Sequence, residues 1–236
     1  MKFKFIDEVK RLQSPPKVIN LFSNNEIKEL IELHKSLPIT VFNKKQNVIK
    51  KRWIQNYNKT LDDLFINKLR EILGDFKMDN LQSESGEDFF GLFQESFSPL
   101  KLHVDSGFNL NNIVYKQTLV PLSSGETVIF DNKWYGPSTN FTIDQNEINE
   151  EKKSQKKGRN NRSSEHTKIY GAKDFNTDEH EKYLKHENIN NLKGLKIQMI
   201  YKWKVGDILV WDRTNLHCSS CNIKDKKLSL TTFTKK

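Results

Sequence analysis

From Phe89 onward the chain is written in short strand-like runs, and this texture limits its fold more than any other feature. Short strand-like runs fall at 89–96, 99–105, 113–122, 126–131, 196–204, 207–212, 216–221 and 227–234. Turn residues punctuate them at Ser123-Ser124-Gly125, Gly206-Asp207 and Asp225-Lys226, as strand boundaries require. Eight such strands behind a helical preface point to a mainly β domain, a jelly roll or barrel with helices packed outside it.

The preface, residues 1–88, carries two amphipathic helices. Ser23-Asn24-Asn25 offers N-caps for the first. Ile27, Leu30, Ile31, Leu33 and Leu37 follow at helical spacing, and Pro38 ends the run. A second helix is predicted from Thr60, with Asp63 completing a start like a capping box. Its apolar face is Leu61, Leu64, Phe65, Ile72 and Leu73, and Gly74 closes it. Between Trp134 and Lys193 the strand pattern lapses into a polar insertion. A loop this long inside a domain is expected to be a lid or partly disordered. The remaining segments, 89–131 and 196–234, form the core of one domain spanning 1–236.

Composition narrows the setting. The 236 residues carry a net charge of +9, much of it in the run Lys152 to Arg162. That run holds no aromatic residue to stack on bases, so it reads as a solvated loop rather than a nucleic-acid groove. The two cysteines, Cys218 and Cys221, provide no disulfide framework and read as ordinary strand residues,. The opening MKFKFIDEVKRL lacks a signal-peptide core. No apolar run approaches the ~20 residues needed to cross a bilayer. A cytoplasmic protein with no membrane partner is expected.

The chemistry concentrates at Lys101-Leu102-His103-Val104-Asp105. Alternate residues of a strand share a face, so His103 and Asp105 offer a nitrogen and an oxygen to one space. A second histidine would complete two imidazoles and one carboxylate, a donor set that leaves coordination positions open on iron(II). His217 follows an apolar strand, Ile208 to Trp211, and precedes the strand KLSLTTF. On that last strand Lys227, Ser229 and Thr231 share one face, while Leu228 and Leu230 share the other. A polar inner face with an apolar outer face fits a strand that lines a pocket and carries helices on its back.

The order H-x-D, distal His, then a basic residue about ten positions later resembles the 2-oxoglutarate/Fe(II)-dependent dioxygenase superfamily. Within it, the chain looks like the prolyl-4-hydroxylase-like branch. The matching residues are His103, Asp105, His217 and Lys227, with Ser229 two positions beyond. The stretch Leu119 to Phe130, through Ser124-Gly125-Glu126-Thr127, resembles the branch's G-G-x-T-x-F-like turn and strand. There are departures: Ser124 replaces the first glycine, Leu100 stands near the place of a tyrosine, and Gln117 replaces a threonine.

The resemblance implies a double-stranded β-helix, a cupin-like jelly roll, with the N-terminal helices on the outside of its major sheet. It implies metal ligation by His103, Asp105 and His217. Lys227 would pair with the far carboxylate of 2-oxoglutarate, Ser229 would donate a hydroxyl beside it, and Gln117 and Tyr115 would be further cosubstrate contacts. The implied reaction consumes oxygen and 2-oxoglutarate, releases succinate and carbon dioxide, and hydroxylates a peptidyl or free amino acid or another small molecule. Ascorbate would serve as reductant. A second reading is a non-catalytic jelly-roll binding module that meets nucleic acid or another anionic partner through the basic insertion.

Overall fold

The computed structural model describes residues 2–43, 47–79, 81–82, 88–154, 162–163 and 165–236. Most of the basic run at 152–162 lies outside the described residues.

Three helices precede the main strands: α1 (Ile6–Arg11), α2 (Asn24–Ser36) and α3 (Lys59–Leu73). Ser23 caps α2 through a reciprocal capping box with Glu26. Asn58 caps α3 by accepting from Leu61 N–H, so that helix starts one residue before the predicted Thr60. The Asn58 amide oxygen thereby satisfies an otherwise unpaired N–H of the first turn,. Gly74 ends α3 at φ +66°, a conformation most side chains resist,.

Strands interleave with these helices. In chain order they are β1 (Lys17–Asn20), β2 (Val41–Asn43), β3 (Val48–Trp53), β4 (Lys77–Met78), β5 (Leu81–Gln82) and β6 (Asp88–Phe89). Next come β7 (Gly91–Ser96), β8 (His103–Val104), β9 (Val114–Pro121), β10 (Glu126–Lys133), β11 (Thr139–Phe141) and β12 (Arg162–Ser163). The last are β13 (Ile197–Lys202), β14 (Asp207–Asp212), β15 (Asn215–Ser219) and β16 (Lys227–Lys235).

One sheet runs β1-β14-β9-β16-β7-β3-β2, with β4 added beside β16. A second runs β12-β11-β8-β15-β10-β13, and β5 pairs with β6 alone. Pairing is antiparallel except between β11 and β12. Consecutive strands alternate between the two larger sheets from β13 to β16, which is the jelly-roll pattern. Of the predicted strands, 99–105 shrinks most: only His103 and Val104 pair as strand.

Burial follows the two faces. Leu30 and Leu33 of α2 and Leu61, Phe65 and Leu69 of α3 share a cluster with Phe93, Val120, Val210, Leu228 and Leu230. The apolar face of β16 therefore packs on the helices, as its alternation predicts. Between the sheets lies a second cluster, Leu119, Ile129, Tyr201, Trp203, Leu209 and Trp211. Gly125 matters here, because a Cβ on it would come within 2.5 Å of the Trp203 ring.

The insertion is more than a polar excursion. Phe141, Phe175, Leu184 and Leu192 are buried together with Leu102, Val104, Phe130 and Leu216. Its apolar residues are too scattered to show a period, yet they close over the outer face of the strands that carry the predicted metal ligands. Among the described residues no helix is long and apolar enough to cross a membrane.

Candidate metal centre

β8 and β15 meet at a single register pair, His103 opposite His217. Side chains of directly opposed residues lie on the same face of the sheet, so both imidazoles enter the space between the sheets. Their ring centroids are 4.2 Å apart. Asp105 arrives from the same segment two residues after His103. Its Oδ2 lies 3.7 Å from His103 Nε2 and 3.6 Å from His217 Nε2. One donor atom from each of the three lies within 4.8 Å of the others, and these three form the one such group found among the described residues.

The backbone fixes which ring nitrogens face inward. His103 Nδ1 is 2.6 Å from the Lys101 carbonyl, and His217 Nδ1 is 3.1 Å from the Asn215 carbonyl. A carbonyl only accepts, so each Nδ1 donates and each Nε2 faces Asp105,. Second hydrogen bonds of this kind set tautomer and ring orientation at metal sites. Asp105 is held in turn: Gln117 Nε2 donates to its Oδ2 at 3.0 Å. His217 and Asp105 are buried while His103 is half-buried, so the centre opens on the His103 side.

Two nitrogens and one oxygen from one side form a donor set that suits a divalent first-row ion with sites left for other ligands. The donors therefore fit iron(II).

Lys227 opens β16 with its chain inside the barrel, 4% exposed. Its Nζ contacts Ser219 Oγ and stands 5.2 Å from the Trp203 ring centroid. Among the described residues no carboxylate lies within ion-pair distance of it, and desolvation pushes its pKa down to about 8. Ser219 is two residues beyond His217 on the same face of β15, which puts this cation one side-chain step from the triad. Ser229 is buried on the same face of β16 as Lys227. Trp211, whose ring stands edge-on to His217 at 5.3 Å, and Trp203 belong to the cluster that walls this space.

The two further cosubstrate contacts expected from the sequence, Tyr115 and Gln117, are placed differently from each other. Tyr115 packs against the helix cluster, and its hydroxyl donates to the Leu73 carbonyl at 3.1 Å. A short irregularity in the β9–β16 pairing near Phe233 accompanies this departure from strict alternation. Gln117 does face inward, and its amide nitrogen donates to Asp105. Cys221 lies past the end of β15. Its N–H donates to the Tyr183 carbonyl and its thiol to the Lys182 carbonyl, away from the triad. Cys218 is buried in the outer cluster.

The sequence reading missed Arg213. This residue, 0% exposed, donates from Nε to the Asp105 carbonyl at 3.2 Å. Its Nη1 reaches Asp79 at 2.5 Å and the Thr234 carbonyl at 3.1 Å. Gly107, at φ +83°, leaves room for the guanidinium, since a Cβ there would stand 2.8 Å from Nη2. The signal was a charged pair, Asp212-Arg213, between the apolar strand and His217.

No protein-family model matches the sequence, and no curated protein matches it. Solved structures do resemble the fold. The epimerase SnoN, in complex with Fe3+, alpha ketoglutarate and nogalamycin RO, matches at TM-score 0.54 and 10% identity, over 98% of this chain and 84% of its own. EctD from S. alaskensis, with 2-oxoglutarate and 5-hydroxyectoine, matches at TM-score 0.51 and 11% identity, over 99% and 76%. HygX from Streptomyces hygroscopicus, with nickel, 2-oxoglutarate and hygromycin B bound, matches at 0.50 and 10%, over 97% and 86%. These likenesses establish the fold: a double-stranded β-helix of the kind these proteins share.

Proposed function

We propose that this protein is an Fe(II)- and 2-oxoglutarate-dependent oxygenase that hydroxylates a peptidyl or free amino acid or another small molecule. The observation that carries this reading is the convergence of His103, Asp105 and His217, each with its orientation fixed by a second hydrogen bond. The three structural neighbours are each described with 2-oxoglutarate, under that name or as alpha ketoglutarate. That supports the cosubstrate, while their varied ligands leave the choice of substrate to residues specific to this chain.

His103 and His217 present neutral imidazole nitrogens, and Asp105 supplies the single negative charge. When bound, iron(II) supplies the oxidising chemistry, using oxygen and 2-oxoglutarate and releasing succinate and carbon dioxide. Lys227 provides the charge that receives the far carboxylate of 2-oxoglutarate, and Ser229 a hydroxyl beside it. Trp203 and Trp211 keep water from that end of the cavity, which strengthens the charge pair. Gln117 holds Asp105 through its amide nitrogen. The Ser124-Gly125-Glu126-Thr127 turn and the Lys227-x-Ser229 spacing favour the prolyl-4-hydroxylase-like branch. A single domain spanning 1–236, acting in the cytoplasm, completes the proposal.

The test is succinate formation from 2-oxoglutarate with Fe(II), ascorbate and oxygen, across panels of amino acids, peptides and small metabolites. Succinate release that a substrate stimulates, and that His103→Ala abolishes, is the expected result. Turnover that persists in His103→Ala would refute the ligand assignment.

A further inference from the structure

The strand that carries His103 is unusually short. β8 has two residues, and its ladder consists of His103 with His217 and Asn140, and Val104 with Thr139. Just before it, a side chain from the insertion takes over the work of a neighbouring strand. Leu102 N–H donates to Glu187 Oε1 at 2.5 Å. Asn191 Nδ2 donates to Glu187 Oε2 at 3.1 Å and approaches the Phe141 carbonyl at 3.2 Å. Phe141 N–H donates to the Leu102 carbonyl at 2.9 Å, closing a ring of hydrogen bonds.

The peptide unit concerned is the one between Lys101 and Leu102. Its N–H is held by Glu187. Its carbonyl accepts from His103 Nδ1 at 2.6 Å. A peptide is planar and rigid, so fixing one end aims the other. Hydrogen bonds in such a chain also polarise one another, which makes the Lys101 carbonyl a stronger acceptor for the imidazole N–H. The connection runs from carboxylate through peptide to histidine.

A carboxylate is a costly choice for a buried acceptor. Glu187 is 5% exposed, and burial pushes its carboxyl up to about 7. Among the described residues no lysine or arginine lies within ion-pair distance of it. What a glutamate offers here is two acceptor oxygens at the right reach, one for Leu102 and one for Asn191.

We propose that Glu187 is a positioning residue that, through the Lys101–Leu102 peptide, fixes the tautomer and aim of His103 for metal binding. The idea rests on the metal-centre reading above, and it gives the insertion a part in assembling that centre. Outer hydrogen-bond partners of this sort typically contribute 10–100-fold to metal affinity.

The test is Co(II) titration of metal-free protein, with His217→Ala as the negative control. Glu187→Asp keeps the charge but falls short of Leu102, and Glu187→Met removes the acceptor. Each is expected to bind Co(II) about 10–100-fold more weakly. Glu187→Gln keeps an oxygen for Leu102 but turns an amide N–H2 toward the Asn191 donor, so its loss should be smaller than that of Glu187→Asp,. The core variant Leu184→Ala should lose thermal stability without losing affinity. If Glu187→Met does not fold, the Asp and Gln variants still decide the matter.

Imidazole 15N NMR of the metal-free proteins gives a second readout. The parent should show His103 protonated at Nδ1, and Glu187→Asp a tautomer mixture. Parent-like affinity and tautomer in Glu187→Asp would overturn the role of Glu187 and leave the metal centre standing. If the parent took up no Co(II), the metal centre and this proposal would fall together.

Discussion

A lysine ammonium wrapped in indole and serine, with no acid near it among the described residues, is held in a poor environment for a charge. Lys227 is protonated less readily in the fold than in the open chain, at about 8 against 10.5. Between those values the unfolded chain binds more protons than the folded one, so this residue makes stability rise as pH rises through that window. Binding of a dianion needs the ammonium, so 2-oxoglutarate affinity should fall as pH climbs past about 8. Calorimetric titration across about pH 7 to 9, on the order of one unit either side of that value, would check this, and a flat profile would refute it. Lys227→Met should weaken 2-oxoglutarate by about 30-fold or more. It should also raise the melting temperature of the ligand-free protein, because it removes an uncompensated buried charge.

At this scale the sequence announced residues whose type and spacing suggest one site: His103, Asp105 and His217, which the fold brings together, and Lys227, which it buries beside Ser219. It was silent on Arg213 and Glu187, which act through position, and it named Gln117 only as a cosubstrate contact, not as a partner of Asp105. Arg213 and Glu187 each gain their role from a partner distant in sequence. The Arg213–Asp79 pair spans 134 positions, and the Glu187–Leu102 contact spans 85. No local pattern could announce either contact.

Among elements, helices and long strands declare themselves because their stability has a local component. α2 has a complete capping box and one apolar face. Ser23→Ala should cost about 1 kcal/mol, whereas Leu30→Ala, deep in the helix–sheet cluster, should cost about 2–5 kcal/mol,. Denaturant unfolding would check both, and equal losses would contradict the view that packing dominates this helix. β9, β10, β13, β14 and β16 were likewise readable from alternation and turn residues. β8 was overestimated because Leu100, Leu102 and Val104 alternate with polar residues, while the hydrogen bonds of 100–102 go to Glu187, Phe141, Ser219 and His186 instead of a regular ladder. β1, β2 and β3 were missed, since their pairing with β14 and β7 is set by tertiary contact.

For the whole molecule, the two sheets act as a frame that brings distant segments to one point. Metal binding should therefore stabilise the fold by linkage. At a free-ion concentration 100 times the dissociation constant the gain is about 2.7 kcal/mol. A melting temperature that rises with Ni(II), falls back with chelator and does not respond in His217→Ala is the expected pattern. The insertion belongs to this frame, because Phe141, Leu184 and Leu192 are buried against Leu102, Val104 and Leu216. Sequence patterning had marked it as a polar lapse, for its apolar residues are spread over more than 50 positions without a repeat.

The most direct test is an anomalous difference map from crystals grown with Ni(II) and 2-oxoglutarate. The account requires one strong peak bounded by His103 Nε2, His217 Nε2 and an Asp105 carboxylate oxygen, with cosubstrate density running from it to Lys227 Nζ. A map with no peak between those three side chains, or with cosubstrate density directed away from Lys227, would contradict it.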